Sequence, residues 1–203
     1  LIVGDPSVFA IQSEISEAFE RPSFRALGSF TILVKGRRYG VFKPDATMLA
    51  CSLNAVEKRI RERGRHTAEF ANKLDARSIA DGFRCAFYME SHEENYLGLT
   101  LAEFAEQITS RDVLWAPDGD EAFDDGSYVL QLDLEDRVRL IAFRCGSDGL
   151  SDPQTLSELW MASDDFYALL LDWRERFMAE WASLPKVLIS QDQIPFTMRD
   201  RLS

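Results

Sequence analysis

The side chains in this chain that could do chemistry are few and far apart. Its only histidines, His66 and His92, stand 26 residues from each other, and no cysteine lies near either. Zinc sites usually advertise themselves by close ligand pairs, because one turn or one helix face must present two ligands at once. His92-Glu93-Glu94-Asn95-Tyr96 opens like HExxH but carries Tyr where the second His belongs. The acidic run Asp118-Gly119-Asp120-Glu121-Ala122-Phe123-Asp124-Asp125-Gly126 invites a calcium reading. Aligned on an EF-hand loop it fails three times, with Ala122 in the fifth place, Phe123 in the glycine place and Val129 where a bidentate Glu should sit. What is left for that run is a solvated loop or a protein-binding surface. Nucleophilic catalysis finds no support: GxSxG is absent, and Gly146-Ser147-Asp148-Gly149 follows a hairpin strand instead of forming a strand-to-helix elbow. Neither GxxxxGK nor GxGxxG occurs, and carboxylate pairs in so acidic a chain identify no acid–base couple. The reading is therefore of a protein without catalytic residues, metal or cofactor.

Charge is more informative. The chain has 203 residues and a formal net charge of −11, which argues against binding a phosphate backbone. Residues 1–90 balance at +3 and residues 91–203 at −14, so the acidity belongs to the second half. Such a surface attracts cationic partners and speeds their encounter, although it also serves plain solubility. The basic helix face from Lys58 to Arg65 is interleaved with Glu57 and Glu62 and reads as a solvated, ion-paired surface. Three cysteines, Cys51, Cys85 and Cys145, are odd in number, widely spaced and in apolar neighbourhoods, as expected of buried free thiols in a reducing cytoplasm. No apolar run approaches the roughly 18 residues of a membrane span. The opening Leu1-Ile2-Val3-Gly4-Asp5 lacks the build of a signal peptide.

The elements that must position these residues follow from periodicity. Val8 to Ile15 alternates as a half-exposed strand, and Gly28 to Val34 with Tyr39 to Phe42 forms a hairpin around Lys35-Gly36. Thr47 to Ser52 suggests a short strand, after which Leu53, Val56 and Ile60 mark a helix capped by Ser52 and ended near Gly64. Phe70, Ala71 and Leu74 suggest a second, short helix, and Ile79, Phe83, Ala86 and Phe87 a third. Gly82 inside the third weakens it by about 1 kcal/mol relative to Ala. Thr100 and Glu103 make a capping box. Ala116-Pro117-Asp118-Gly119 reads as a turn, Val129–Leu134 and Val138–Cys145 as a hairpin, and Leu156–Met161 as a last strand. The final helix is capped by Ser163, with Phe166, Leu169, Leu170, Trp173, Phe177 and Trp181 on one face and Leu184-Pro185 at its end. The sum is an α+β fold: one domain over residues 1–185, a mainly antiparallel sheet covered by helices on one face, a long C-terminal amphipathic helix, and a tail or docking arm at 186–203.

Gly4-Asp5-Pro6-x-x-Phe9-Ala10-Ile11-x-x-Glu14-Ile15, then Gly28-x-Phe30 and Val34-x-Gly36, resembles the bacterial immunity protein 42 family. Asp165-Phe166-Tyr167 and Trp173 near the C-terminus agree with it. The resemblance implies a cytoplasmic antidote that binds and neutralises the cognate toxin domain of a polymorphic toxin system, and it brings no catalytic residue. The contact surface expected from the sequence is Trp115 as a desolvated anchor, with Asp118, Asp120, Glu121, Asp124 and Asp125 pairing with toxin Lys or Arg. A nuclease toxin would be the cationic partner such a surface suits. Glu90, Glu93 and Glu94 form a second acidic candidate. No nucleic acid or membrane partner is expected. The alternatives are a homo-oligomeric interaction domain, a homodimer joined by an exposed strand or the 186–203 arm, and a metal-dependent hydrolase.

Overall fold

The structure is a computed structural model, and it describes residues 1–20, 25–88, 95–116 and 121–187. The first sheet opens with strands β1 (Ile2–Asp5), β2 (Phe9–Phe19), β3 (Ala26–Val34) and β4 (Arg37–Tyr39), joined antiparallel in that order. The β3–β4 turn is Lys35-Gly36, both at positive φ (50° and 78°), the conformation whose twist suits a two-residue hairpin. A short β5 (Thr47–Met48) pairs with β3 and runs directly into helix α1 (Leu49–Arg61). Helix α2 (Ala76–Tyr88), the small hairpin of β6 (Asn95–Tyr96) and β7 (Leu99–Thr100), and helix α3 (Leu101–Ser110) follow. The second sheet, ordered β11-β10-β9-β8, contains β8 (Leu114–Ala116), β9 (Ser127–Leu134), β10 (Arg137–Arg144) and β11 (Ser157–Ala162). Helix α4 (Ser163–Ser183) closes the body, and β12 (Lys186–Val187) lies parallel to β2 beside Ala18 and Phe19.

One α+β domain with antiparallel sheets and packed helices agrees with the sequence reading, but the layering differs. There are two main sheets, and the second is covered on both faces. Val129, Val138, Leu140, Ala142 and Leu159 face a core shared with the first sheet, α1 and α4. Tyr128, Leu130, Leu132, Ile141 and Phe143 face a second core under α2 and α3. Strands buried on both sides lose the polar alternation that marks a half-exposed strand, which is why Tyr128 to Leu130 in β9 and Leu140 to Phe143 in β10 are continuous apolar runs.

Several local expectations are corrected, the burial of the thiols among them: Cys51 and Cys145 are exposed and Cys85 is half-buried. Only Thr47 and Met48 are extended; α1 starts at Leu49, its N-cap is Met48 without a side-chain bond, and Ser52 is buried inside the helix. The segment around Phe70 to Leu74 is a series of turns, not a helix, tied down because the Arg139 guanidinium donates to the carbonyls of Ala71 and Leu74. Ser163 is the first helical residue of α4, with Ala162 as N-cap, and its N–H donates instead to Asp136. The capping box is as read: Glu103 N–H donates to Thr100 Oγ1 at 3.2 Å, and Thr100 N–H donates to Glu103 Oε2 at 2.8 Å. Along α4, Phe166, Tyr167, Leu170, Trp173 and Phe177 are buried, and Trp181 is half-buried with its indole N–H donating to Arg25 O.

Candidate functional site

The acidic segment lies between β8 and β9, and its described part begins at a 3₁₀ turn, Glu121–Phe123. Two apolar side chains hold that turn down. Ala122 and Phe123 are buried, and Phe123 packs edge-on against Phe30 at 6.3 Å. The Ala122 carbonyl accepts from Val41 N–H at 2.8 Å. The chain leaving β4 passes so close that a Cβ on Gly40, already at φ +107°, would lie 2.9 Å from that carbonyl. Glu121 and Asp124 are left facing solvent. Asp125 is held from two sides: its Oδ2 accepts from Arg144 Nη2 at 2.8 Å and Nε at 3.1 Å, and its Oδ1 accepts from Ser127 N–H. Arg144 also donates to the carbonyl of Arg38, whose guanidinium lies over the Phe42 ring at 4.7 Å. Phe42 is 37% exposed. Two carboxylates on a fixed turn are thus open to solvent, with an exposed aromatic ring close by.

The expected contact residues therefore separate. Glu121, Asp124 and Asp125 come together on this turn, with Asp125 tied to Arg144. Asp118 and Asp120 lie outside the described residues, as do Glu90, Glu93, Glu94 and His92. Trp115 is not at the surface. Only 4% exposed, it packs against Phe9 and Phe166, with the Arg59 guanidinium 5.8 Å from its ring. A bulge in β8 explains this: the register slips between Leu114 and Ala116, so Leu114 meets the core under α2 and α3 while Trp115 and Ala116 both line the core between the sheets. An anchor must be free to meet its partner, and this indole is already covered. Phe42 escaped the sequence reading because it lies past the end of β4, in the irregular segment between Gly40 and Pro44, where no periodicity assigns it a face.

The reading also missed a buried polar network behind Trp115. The Asp133 carboxylate accepts from Gly64 N–H at 2.8 Å, His66 N–H at 3.3 Å, Gln131 Nε2 at 3.1 Å and the Tyr167 hydroxyl at 3.0 Å. His66 is fully buried, with Nδ1 at 3.1 and 3.0 Å from the carbonyls of Arg111 and Asp112. Arg59 donates to the carbonyls of Asp112 and Leu114. Burial, reinforced by the Arg59 charge, lowers the imidazole pKa from its ordinary value. Burial likewise brings Arg59 down to about 10, and burial with the Asp133 charge raises the Tyr167 phenol. The network fastens the end of α1 to β9 and α4, and His66 is a structural residue within it. Among the described residues no group of three or more His, Cys, Asp or Glu could hold a metal ion. No helix among them is long and apolar enough to cross a membrane. A groove of about 450 Å³ lined by Ile15–Ala18, Leu184, Pro185 and Val187 brings in one carboxylate, Glu17, and, among the described residues, no base or nucleophile to pair with it beyond the Ser16 hydroxyl.

A sequence model of the immunity protein 42 family matches residues 1–176. The chain belongs to the immunity protein 42 family. Membership gives the chain a toxin-neutralising immunity role in the coarse sense. Among solved structures, this immunity protein is similar to a CdiI from Burkholderia dolosa AUO158, with a TM-score of 0.55 and 18% identity over 87% of this chain and 99% of that one. At that identity the likeness is one of fold. No curated protein sequence matches the chain.

Proposed function

We propose that this immunity protein works in the cytoplasm of the producing cell by binding its cognate toxin domain and covering that domain's active site, without catalysis of its own. The contact surface in this reading is the acidic stretch of Asp118, Asp120, Glu121, Asp124 and Asp125, with Phe42 as the aromatic contact in place of Trp115. The observation that carries it is the pinned turn: Glu121 and Asp124 face solvent from a backbone fixed by Ala122 and Phe123, beside an open Phe42 ring. Carboxylates on a rigid turn pair with Lys or Arg at a smaller ordering cost than carboxylates on a loose loop. The charge balance of −14 over residues 91–203 points to a cationic toxin, and nucleases, whose sites are built for phosphate, are the class it fits best.

The test is association kinetics with the toxin domain encoded beside this gene, measured at several salt concentrations. Glu121→Lys with Asp124→Lys should slow association by about tenfold or more at low salt and flatten its salt dependence. Phe42→Ala should mainly speed dissociation. Asp125 is left intact, since its loss would release Arg144 and disturb the turn itself. Kinetics unchanged in both variants would remove this surface from the interface. A toxin that fails to bind the parent chain would remove the reading altogether.

A further inference from the structure

Among the described residues the two main sheets end in six edge strands; β5 and β12 are two residues each, and three of the other four are closed or bent. At β4, Arg144 donates to the Arg38 carbonyl at 2.9 Å and Gly40 N–H donates to Ser127 Oγ at 3.3 Å. At β8, Arg59 takes the Leu114 carbonyl at 2.6 Å. β1 is four residues long and turns at Gly4, φ +98°. β11 is different. Its six residues, Ser157-Glu158-Leu159-Trp160-Met161-Ala162, contain no Lys, Pro or bulge, the usual devices that blunt an edge. Ser163 N–H donates to Asp136 O, one rung beyond the Arg137–Ala162 pair. Antiparallel alternation then bonds Met161, Leu159 and Ser157 to β10 and turns the N–H and C=O of Glu158 and Trp160, with the N–H of Ala162, outward.

We propose that β11 pairs antiparallel with β11 of a second copy of this chain, across a two-fold axis at Trp160. Trp160 then faces its own copy and exchanges two backbone hydrogen bonds with it, and each Ala162 N–H donates to the Glu158 carbonyl opposite. The side chains of this face are self-complementary. Arg137 is exposed, lies over the Trp160 ring at 4.9 Å and has no carboxylate partner among the described residues. In the sheet it stands beside Ala162, and on the far side of Ala162 the pairing puts Glu158 of the copy. The two are two strands apart, about 10 Å between Cα atoms, and the small Ala162 leaves Arg137 room to reach Glu158 Oε2 over it, since Oε1 is held by Arg139 at 2.8 Å and by the Trp160 indole at 2.9 Å. A second copy is therefore favoured over an unrelated strand, which has no reason to present a carboxylate at that position. One strand pair covers less than a standard interface, so the dimer is weak, with Kd in the micromolar range or above. The acidic turn sits at the opposite end of this sheet, before Ser127, and stays free, so the dimer stands or falls independently of toxin binding.

Sedimentation velocity of the full chain from about 1 to about 500 μM at constant salt tests it, with amide hydrogen exchange at both ends of the range. A reversible monomer–dimer equilibrium is expected. Arg137→Glu and, separately, Trp160→Lys should each weaken it by about tenfold or more while the monomer's melting curve stays intact for Arg137→Glu. The amides of Trp160 and Ala162 should gain protection with concentration. A single monomeric species throughout overturns the proposal, as does a dimer that neither substitution weakens or exchange at those two amides that ignores concentration. Protection appearing only when the toxin domain is added would assign the edge to the toxin and overturn the dimer as well.

Discussion

Removing the indole of Trp115 would open a void between Phe9 and Phe166, in a core that cannot close around it without moving two sheets. Trp115→Ala is expected to cost about 3–5 kcal/mol in a denaturant melt. Trp115→Phe should cost about 1.5 kcal/mol or less, because Nε1 is buried with no hydrogen-bond partner to lose and much of the volume is kept. A contact role would give the reverse, normal melts with damaged binding. Gly82 makes a similar point about packing. Its helix position suggests a small propensity penalty that Ala would recover, but a Cβ there would lie 2.8 Å from Tyr96 and 3.0 Å from Phe104. Gly82→Ala should therefore destabilise, by about 1–3 kcal/mol, and a gain would show that the Tyr96 hairpin yields easily. His66 carries the pH dependence. Its folded-state pKa is depressed by burial and by Arg59, so the unfolded chain takes up a proton below about pH 6.5 that the native chain refuses. That contribution is fully present above the unfolded value and is lost as pH falls toward the folded one. Urea melts at about pH 7.5 and 5.5 should show the loss. His66→Asn, which keeps a donor for the Arg111 and Asp112 carbonyls, should be less stable but show a shallower slope between those two pH values.

The elements were legible where one face meets water and obscure where both faces are covered. β2, α3 and α4 each have a wet side, so alternation, the capping box and the apolar stripe located them within a few residues. The second sheet gave its strands but not its layering, since apolar residues on both faces do not say how many cores exist. The turns at Phe70–Leu74 imitated a helix because their apolar residues are spaced to reach the second core, while the force that shapes them comes from Arg139, more than sixty residues away. Nothing local encodes that tie, and the acidic turn was legible only as charge for the same reason: its anchors, Gly40, Val41 and Phe30, belong to another sheet. Arg139→Lys keeps the charge but loses the forked geometry that serves Glu158 and two carbonyls together. It should cost on the order of 2–3 kcal/mol. It should also raise amide exchange at Ala71, Lys73 and Leu74 ahead of global unfolding. Exchange that rises uniformly across the chain would mean the turns hold without Arg139.

At the scale of the whole molecule, the charge asymmetry of the sequence is carried by a body whose ion pairs are mostly at the surface. Pairs such as Arg176 with Asp172, Arg174 with Glu57 and Lys58 with Asp112 are solvent-accessible and individually worth little. Against them stands an excess of eleven negative charges on a chain of 203 residues, most of it in the second half. Like charges within about 10 Å repel across a surface that ordinary salt screens. If the excess outweighs the pairs, adding sodium chloride from about 10 to about 200 mM should raise the melting temperature by a few degrees, because screening relieves more repulsion than attraction. The concentration range matters, since higher salt also strengthens apolar burial and would raise the melting temperature of almost any protein. A fall in melting temperature over this range would mean that the pairs dominate and that the acidity is locally compensated. An immunity protein with uncompensated acidity keeps a long-range field to draw in a cationic toxin, so the same titration bears on function: the sign of the salt effect on the free protein should be opposite to the sign of the salt effect on its association rate with the toxin domain.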